Sequence, residues 1–409
     1  MMNKILCILC PLAFLFACNA PKPRSTKTLV KADSLAHAFI LTDGHVDLPY
    51  RMKVRNFRIT REYLDFTEMT EQGNFDFERA RKGGLDAPFM SIYIPAALQK
   101  TPGASKQLAD SLIDMVEALA ENYPDKFIVA KNPDDVEAAF AANKVALPMG
   151  MENGSPIEED IANVQHFYDR GVRYITLTHS KVNNICDSSY DTTRTWNGLS
   201  PFGEQVVKEM NRVGIMVDVS HISDSAFYDV MALTDVPVIA SHSSCRFYTP
   251  GFERNMNDDM LQVLKENGGV IQINFGSTFI DSTSQIERTK ARRAFNTYME
   301  ENELEATDSL RTAFFETYYK THPDFFSDVS VVADHIDHVA QLIGVDHVGF
   351  GSDFDGVGDS LPTDLKDVSQ YPNLILELLE RGYSDEDIEK ICYKNVWRVW
   401  RAVEKAAES

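Results

Sequence analysis

Eight short apolar segments, separated by helical patterns, constrain the fold of this chain more than any other feature. Each is enriched in branched or aromatic residues and is bounded by Gly, Pro or Asp, as buried strands are. They are 39–43, 89–94, 145–151, 174–178, 215–219, 238–241, 270–275 and 348–351. Helical patterns such as 105–122, 161–170, 202–213 and 258–266 lie between most of them. Eight strand–helix units predict an α/β fold, a parallel TIM-like (β/α)8 barrel, whose active site lies at the carboxyl ends of the strands.

One connection is longer than a minimal barrel requires. Residues 281–332 separate the seventh predicted strand from the eighth and contain charged helical patterns at 286–303 and 309–319. Because the segment follows a strand end, we expect a helical hairpin near the mouth of the barrel. The barrel domain, including this insertion, is expected to span 32–409.

The N-terminal residues are typical of an export signal and do not belong to the fold. A short basic start precedes an apolar run, and the letters LFAC, ending at Cys18, resemble the lipobox of bacterial lipoproteins. This pattern predicts a signal peptide over 1–17, a lipid-carrying Cys18, and an aperiodic tether over 18–31. The protein would then be exported and anchored to a bacterial membrane, on its periplasmic or cell-surface side. An ordinary secretory signal cleaved near Ala20 is the alternative, and it would also export the protein.

Charge and cysteine content narrow the partners of the chain. Lys and Arg number 40 against 61 Asp and Glu, a net charge of −21 that argues against a nucleic-acid partner. No segment after residue 20 is apolar for long enough to cross a bilayer, so the lipid on Cys18 is the one membrane contact expected. The predicted body keeps only Cys186, Cys245 and Cys392, without a C-x-x-C pair, which argues against a zinc–thiolate site.

Histidines and carboxylates concentrate where the predicted strands end. The set consists of His45 and Asp47 after the first strand, Glu152 after the third, His179 after the fourth, His221 after the fifth, His242 after the sixth and Asp353 after the eighth. Four of the ten histidines therefore terminate strands. Histidines used only for packing would be spread over helices and loops as well, so this concentration favours a site at one end of the barrel.

The residue types in this set favour a divalent metal. Imidazoles and carboxylates without thiolates suit zinc, and they outnumber the ligands of one tetrahedral site. Two ions that share a carboxylate would hold a bridging hydroxide and polarise the carbonyl that it attacks. Glu152 is the expected bridge, because a carboxylate offers two oxygens whereas an imidazole binds through one nitrogen at a time.

Other candidate sites are weaker. No G-x-S-x-G elbow, Walker loop or G-x-G-x-x-G follows a predicted strand. His335 and His338 lie three residues apart in a helical pattern, where packing is favoured over a shared ion. The segment 353–356, DFDG, lacks the third acidic ligand and the closing Glu of a calcium loop.

The motifs resemble those of the membrane dipeptidase (renal dipeptidase) family, the M19 metallopeptidases. The matching segments are DGHVDLP at 43–49, GGLDAPFMSIYIP at 83–95, GMENG at 150–154, RYITLTH at 173–179, VDVSH at 217–221, PVIASHSS at 237–244, RNMNDD at 254–259 and GFGSDFDG at 349–356. They cover essentially the whole chain after the tether. The resemblance implies a barrel of the metal-dependent hydrolase type, zinc-dependent hydrolysis of dipeptides, and a homodimer.

The resemblance also implies a ligand set for two zinc ions per chain. His45 and Asp47 would bind one ion, and His221 and His242 would bind the other. Glu152 would bridge both, as its two oxygens already suggest.

Three further residues would handle the substrate. By resemblance, His179 would contact the scissile carbonyl, Arg254 would anchor the free carboxylate of the dipeptide, and Asp353 would bind its amino group and pass a proton to the leaving nitrogen. For Arg254 the alternative is a surface salt bridge with the acidic residues around it. For His179 the alternative is to orient a metal ligand.

The chain departs from the family pattern near the pocket. Asn153 replaces the glycine that commonly follows the bridging glutamate, Gly276 stands where some relatives carry a bulkier residue, and the 281–332 insertion is long. These departures bear on substrate preference more than on catalysis. Two alternatives stay open at this point: a related barrel hydrolase acting on another amide or lactone, and a lipoprotein that binds peptides without cleaving them.

Overall fold

The structure, a computed structural model, describes residues 25–54, 66–304, 307–322, 326–358 and 360–407. The predicted signal peptide, 1–17, and the predicted lipidation site, Cys18, lie outside these residues. Within the described ranges, no helix combines the length and the apolar character that a membrane span requires.

A parallel barrel forms the centre of the molecule. The described strands are β1 (Leu41–Val46), β2 (Leu85–Tyr93), β3 (Phe127–Val129), β4 (Val145–Leu147), β5 (Met149–Glu152), β6 (Val172–Thr176), β7 (Met216–Asp218), β8 (Ile239–Ser243), β9 (Val270–Ile273) and β10 (Val348–Phe350). Eight of them form one sheet in the order β1-β2-β5-β6-β7-β8-β9-β10, and β1 also lies against β10. Each strand predicted from the sequence corresponds to one strand of this nearly closed barrel, so the TIM-like fold is confirmed.

Helices cover the outside of the barrel and connect its strands. They are α1 (Thr26–Ala38), α2 (Leu48–Val54), α3 (Phe77–Gly83), α4 (Ala104–Asn122), α5 (Pro133–Ala141), α6 (Ala162–Asp169), α7 (Pro201–Val213), α8 (Asp224–Leu233), α9 (Asp258–Asn267), α10 (Ser277–Ile280), α11 (Ser282–Glu301), α12 (Asp308–Tyr318), α13 (Val329–Ile343), α14 (Tyr371–Glu380), α15 (Asp385–Glu389) and α16 (Asn395–Ala407). Short 3₁₀ turns occur at Ala96–Lys100, Ser155–Ile157, Arg246–Tyr248, Val345–His347 and Val368–Gln370, and a π turn occurs at Lys390–Lys394.

Local sequence sets where these helices begin and end, as α7 illustrates. The Ser200 hydroxyl accepts a hydrogen bond from the backbone N–H of Gly203, and Pro201 occupies the first helical position, where its missing N–H costs nothing. The helix ends at Gly214, whose φ of 93° is left-handed. Between these limits, the face that carries Val206 and Met210 is buried. Capping and amphipathic spacing therefore agree on the same segment.

Two predicted boundaries were wrong. Residues 145–151 were expected to be one strand, but Pro148 divides them because it has no N–H to donate to a sheet. β4 pairs with β3 in a separate two-stranded sheet, and only β5 joins the barrel. The end of the predicted tether, 18–31, is also helical, since α1 begins at Thr26 and buries Leu35 against the body.

The long connection before the last barrel strand is helical, as predicted. It contains α11 and α12, which lie against each other, and the start of α13. Aromatic rings hold the pair together: Phe295 of α11 lies 5.3 Å from Phe314 and 5.5 Å from Phe315 of α12, centroid to centroid. Because α10 and α11 follow directly from β9, this hairpin stands at the carboxyl end of the barrel.

Candidate metal centre

The side chains predicted at the strand ends converge at the carboxyl end of the barrel. They form three overlapping groups, each with ligand atoms within 4.8 Å of one another. The groups are His45, Glu152 and His242; Glu152, His179 and His221; and His45, Asp47 and Asp353. All seven predicted residues are therefore brought together from six strands that are distant in sequence.

Glu152, the last residue of β5, presents one carboxylate oxygen to His45 and the other to His221 and His242. Oε2 lies 3.5 Å from Nε2 of His45, which in turn lies 3.5 Å from Oδ2 of Asp47. Oε1 lies 3.0 Å from Nε2 of His221 and 3.3 Å from Nε2 of His242. This division of the two oxygens is the arrangement that a carboxylate shared by two ions requires.

The spacing of these atoms fits metal ligation. Two ligands bonded to zinc at 2.0–2.1 Å in a tetrahedral site lie ~3.3 Å apart, close to the separations around Glu152. His221 and His242 approach each other more closely, with 2.8 Å between their Nε2 atoms. Nε2 of His45 and Oδ1 of Asp47 are buried without a hydrogen-bond partner. Buried polar atoms in such a state are costly, and a cation placed among them would satisfy both.

A hydrogen-bonded relay orients His242. Its Nδ1 lies 2.7 Å from the hydroxyl oxygen of Ser241, which donates its own proton to Oδ2 of Asp218, also at 2.7 Å. The hydroxyl therefore accepts from Nδ1–H, and the lone pair of Nε2 faces the centre. The other oxygen of Asp218 accepts from the backbone N–H groups of Ser220 and Ser241. Carboxylates that orient ligating histidines in this way usually raise metal affinity.

Tyr174 plays the same part for His45. Its hydroxyl donates to the backbone oxygen of Gly44 at 2.9 Å, so it accepts the Nδ1–H of His45, also at 2.9 Å. The ring of Tyr174 crosses β5 directly over Gly150, where any Cβ would collide with it. Gly150 is therefore required for the close approach that fixes the His45 tautomer.

Backbone strain marks three positions at the centre. His221, Asn153 and Asp353 have φ values of 70°, 84° and 63°, in the left-handed region that L-residues other than Asn and Asp rarely adopt. Asn153, which replaces the expected glycine, tolerates this conformation, and its side-chain amide donates to the oxygen of Ile94 at 2.9 Å. The departure from the family pattern therefore preserves the turn after Glu152.

The electrostatics of the centre keep His221, His242 and Glu152 in the forms that bind metals. Burial, with a further contribution from Arg254, holds the pKa of His221 well below its ordinary value, and burial together with His45 does the same for His242. Burial acts to raise the pKa of Glu152, but His179 and His45 hold it well below its usual range. Neutral imidazoles and an ionised carboxylate are the ligating states.

His45 differs from the other two histidines. Burial acts to lower its pKa, but Tyr174 and the carboxylates of Asp47 and Glu152 raise it well above the ordinary value. A positive charge is therefore stabilised at this position, and a proton and a metal cation would compete for Nε2.

Asp353, three residues after the end of β10, is buried beside His45 and Asp47. Burial, reinforced by the negative charge of Asp47, raises the pKa of its carboxyl group well above the usual value. Its Oδ2 accepts a hydrogen bond from the side-chain amide of Asn274 at 2.8 Å, which leaves Oδ1 as the oxygen that can carry a proton. The arrangement suits a group that takes up and releases protons.

His179 lies at the edge of the centre, three residues after the end of β6. Its Nε2 is 3.5 Å from Oε1 of Glu152, and burial lowers the pKa of the ring. The ring of Tyr93 packs edge-on against it at 4.9 Å, and Tyr190 packs against His221 at 5.8 Å.

Arg254 is buried behind the histidines and makes no ion pair with its acidic neighbours. Nη1 donates to the Ser243 hydroxyl and Nη2 to the backbone oxygen of His242, each at 2.8 Å. Nε is buried without a partner. The adjacent Glu253 is engaged elsewhere, with Arg194. The structure therefore does not support the surface salt-bridge alternative for Arg254.

The two weaker ion-site candidates from the sequence were the pair His335 and His338 and the DFDG segment at 353–356. In the structure, His335, His338 and Asp355 have other partners. His335 accepts from the N–H of Cys245 and donates to the oxygen of Ile280, whereas His338 pairs with Asp258 at 2.8 Å. The two histidines therefore use different partners and share no site. In the DFDG segment, Asp355 forms a buried ion pair with Arg51 at 2.7 Å.

The centre opens into a cleft of about 1790 Å³. Its wall includes the predicted site residues Asp47, Glu152 and His179 and, from the insertion side, Thr278, Phe279, Arg288, Arg292 and Phe326. The insertion therefore contributes directly to the cleft that reaches the metal-type ligands.

Four residues of the centre were not identified from the sequence: Tyr174, Asp218, Ser241 and Asn274. Tyr174 lies within an apolar segment, where an aromatic residue is expected to pack in the core. Asp218 and Ser241 each stand beside or near a predicted histidine, and a polar residue inside a buried strand was the available signal. Polar residues need hydrogen-bond partners when they are buried, so a role in orienting the neighbouring histidine could have been predicted for Asp218 and Ser241.

Comparison with known sequences connects this geometry to one group of proteins. The sequence model described as Membrane dipeptidase (Peptidase family M19) matches residues 29–409. Dipeptidase aclJ of Aspergillus oryzae is 35% identical over 377 residues, which cover 90% of this chain and 79% of that protein.

Solved structures show the same fold. The probable dipeptidase PvdM from Pseudomonas aeruginosa has a TM-score of 0.77 at 25% identity and covers 93% of this chain and 99% of its own. A metallopeptidase from Rhodobacter sphaeroides, solved with a phosphinate mimic of the dipeptide L-Ala-D-Ala, has a TM-score of 0.71 at 23% identity. It covers 89% of this chain and 99% of that chain, and it supports the fold alone.

Proposed function

Because this chain belongs to the membrane dipeptidase family, peptidase family M19, and is a metallo-dipeptidase, we propose that it hydrolyses dipeptides at a pair of zinc ions. The ions would be held at the carboxyl end of the barrel. Family membership decides against the alternative of a lipoprotein that binds peptides without cleaving them. The zinc pair and the residue roles below are the specific content of the proposal.

The two-sided geometry of Glu152 is the observation that supports this proposal. His45 and Asp47 would complete one ion's ligands on the side of Oε2, and His221 and His242 the other's on the side of Oε1. Two zinc ions bound there would supply hydroxide at neutral pH and would polarise the scissile carbonyl.

Asp353 would transfer the proton from the attacking water to the leaving nitrogen. Its carboxyl group has a raised pKa and one oxygen held by Asn274, so Oδ1 would accept the proton of the attacking water and donate it to the leaving nitrogen. The same carboxyl group would contact the free amino group of the substrate before reaction. Both roles require a position beside the ligands, which Asp353 has through its grouping with His45 and Asp47.

Arg254 and His179 would fix the rest of the substrate. The unpartnered Nε of Arg254 is a charged donor left over for the free carboxylate of the dipeptide. His179, neutral because burial lowers its pKa, would donate a hydrogen bond to the carbonyl oxygen as negative charge develops there. With one anchor at each end, the cleft would favour dipeptides over longer peptides.

Metal analysis of Glu152→Gln tests the proposal. The amide keeps the size of the side chain but removes the negative charge and one of the two acceptor oxygens. We expect about two zinc equivalents in the wild type, about one in the variant, and loss of most dipeptidase activity. Zinc would be measured by mass spectrometry, and activity with a panel of L,L- and L,D-dipeptides.

Glu71→Gln provides the matched control. Glu71 lines the same cleft but is exposed and belongs to none of the three ligand groups. This variant should keep both zinc equivalents and its activity. If Glu152→Gln bound as much zinc as the wild type and cleaved dipeptides as fast, the bridging role would be wrong.

We also propose that the protein is exported and anchored through lipid on Cys18. The lipobox-like letters before this residue support the proposal, and Cys18 lies outside the described residues. In a bacterial host fed radiolabelled palmitate, the wild type should carry label and fractionate with membranes, and Cys18→Ser should do neither. Label on both proteins, or on neither, would contradict the proposal.

A further inference from the structure

Two arginines of the insertion face the substrate cleft. Arg288 and Arg292 lie four residues apart on α11, so their side chains share one face of the helix. Both line the cleft that also reaches Glu152 and Asp353. Both are exposed, and neither forms an ion pair with any residue of the described ranges.

The other cations at this cleft are already engaged. Arg51 pairs with Asp355 at 2.7 Å, Lys181 lies 3.7 Å from Asp191, and Lys366 donates to the backbone oxygen of Leu361. Within the described ranges, Arg288 and Arg292 are therefore positive charges without a carboxylate partner, on a chain whose net charge is −21. In a chain with such an excess of carboxylates, two unpaired guanidinium groups at the mouth of a cleft favour an anionic ligand there.

Phe279 connects these arginines with the proposed carboxylate anchor. Its ring lies 5.6 Å from the guanidinium carbon of Arg254, and its backbone oxygen accepts a hydrogen bond from Asn255 at 2.6 Å. Phe279 also lines the cleft together with Arg288 and Arg292. A residue whose main-chain carboxylate binds Arg254 would therefore have its side chain on the wall that carries the two arginines.

We infer that the insertion selects dipeptides whose C-terminal residue has an acidic side chain, Asp or Glu. This inference rests on the proposed function, since it uses Arg254 as the anchor. Guanidinium groups bind carboxylates in a two-pronged geometry that a neutral amide of the same shape does not match. Because exposed ion pairs are individually weak, the two arginines together should favour the acid over the amide by about tenfold in kcat/KM.

A ratio of substrates tests the inference. The kcat/KM for Ala-Glu is divided by that for Ala-Gln, an uncharged substrate of nearly the same size. The wild type should prefer Ala-Glu by about tenfold, and a variant with both Arg288→Ala and Arg292→Ala should show a ratio near one. Arg288→Lys with Arg292→Lys should restore part of the preference, because the charge returns without the planar fork.

Arg293→Ala is the matched control. Arg293 is an exposed arginine of the same helix, but it lines a separate surface depression with Lys290 and Thr297. Its loss should leave the substrate ratio at the wild-type value. Because the ratio is internal to each protein, a general loss of activity or of folded protein does not change it.

The outcomes separate this inference from the function on which it rests. If the wild type and the double variant show the same ratio, the arginines do not select the side chain and the inference is overturned. The ratio of kcat/KM for Glu-Ala to that for Gln-Ala is measured as well. If the double variant lowers this ratio and not the Ala-Glu to Ala-Gln ratio, the arginines select the N-terminal residue, and the inference about the C-terminal residue is overturned. If zinc-loaded protein cleaves none of these dipeptides, the proposed function itself fails.

Discussion

Lowering the pH from about 7 to about 5 should destabilise the folded protein through one buried imidazole, that of His335 on α13. Nδ1 accepts a hydrogen bond from the backbone N–H of Cys245 at 3.0 Å, and Nε2–H donates to the oxygen of Ile280 at 2.9 Å. Protonation would place a second N–H against that of Cys245. Burial, which disfavours the charged ring, lowers the pKa of His335 from 6.5 to about 4.

The sign and size follow from the difference between the folded and unfolded pKa values. Between pH 4 and 6.5 the unfolded chain binds more protons at this residue than the folded one does, so the stability that it contributes is present above 6.5 and is lost as the pH falls. From about pH 7 to about pH 5, the loss amounts to about 2 kcal/mol of unfolding free energy.

The assay compares the wild type with His335→Gln in urea at both pH values. A chelator is present throughout, so that metal release at low pH does not contribute, and fluorescence and circular dichroism must report the same transition. The variant lacks the imidazole ring and is expected to be less stable at both pH values, but glutamine does not titrate, so that cost is independent of pH. The wild type should therefore lose about 2 kcal/mol more than the variant between the two conditions.

The reasoning would be refuted if the difference in unfolding free energy between the wild type and His335→Gln were the same at both pH values. His335 would then titrate alike in the folded and unfolded states, which is incompatible with a neutral ring fixed between Cys245 and Ile280.

Two further predictions concern the supports of the metal centre. Tyr174→Phe removes the hydroxyl that orients His45 and should weaken zinc affinity by about 10–100-fold, as measured by competition with a chromophoric chelator; unchanged affinity would show that His45 is oriented without it. Asn153→Gly should be about 1 kcal/mol more stable in urea than Asn153→Ala, because both lose the amide hydrogen bonds but only Gly adopts a φ of 84° without steric cost. Equal stability of the two variants would mean that the turn relaxes when Asn153 is replaced.

The barrel was predictable from the sequence because its strands are covered on both sides. β5 to β9 are buried along their whole length, and each therefore contributes apolar residues to a short segment that the sequence shows. Residues that follow such runs collect at one end of a parallel barrel whatever their separation in sequence. The meeting of His45 with Glu152 and His242 could be expected on that ground alone.

The supports of the ligands could not be predicted in the same way. The contact between Tyr174 and His45 depends on Gly150 in the strand between them, and the Asp218–Ser241 hydrogen bond depends on the register of β7 against β8. Neither register nor ring orientation is encoded in a local pattern. Pro148, by contrast, could have been recognised from the sequence as a break in the third predicted strand. The apolar residues on both sides of it favoured a single strand instead.

The position of Arg288 and Arg292 at the cleft could not be predicted from the sequence either. The charged helical pattern of the insertion predicted a helix but not which of its faces would meet the barrel. That orientation is set by Ala291 and Phe295, which are buried, and by the aromatic contacts between α11 and α12. Rotation of the helix by half a turn would have pointed the same arginines to solvent.

The hairpin of α11 and α12 leaves and rejoins the barrel within a single connection, between β9 and β10. None of the proposed zinc ligands lies on it. Exchanging this hairpin should therefore change the substrate preference and leave every proposed zinc ligand in place. Grafting it onto another barrel should likewise transfer the preference without a redesign of that barrel's own ligands.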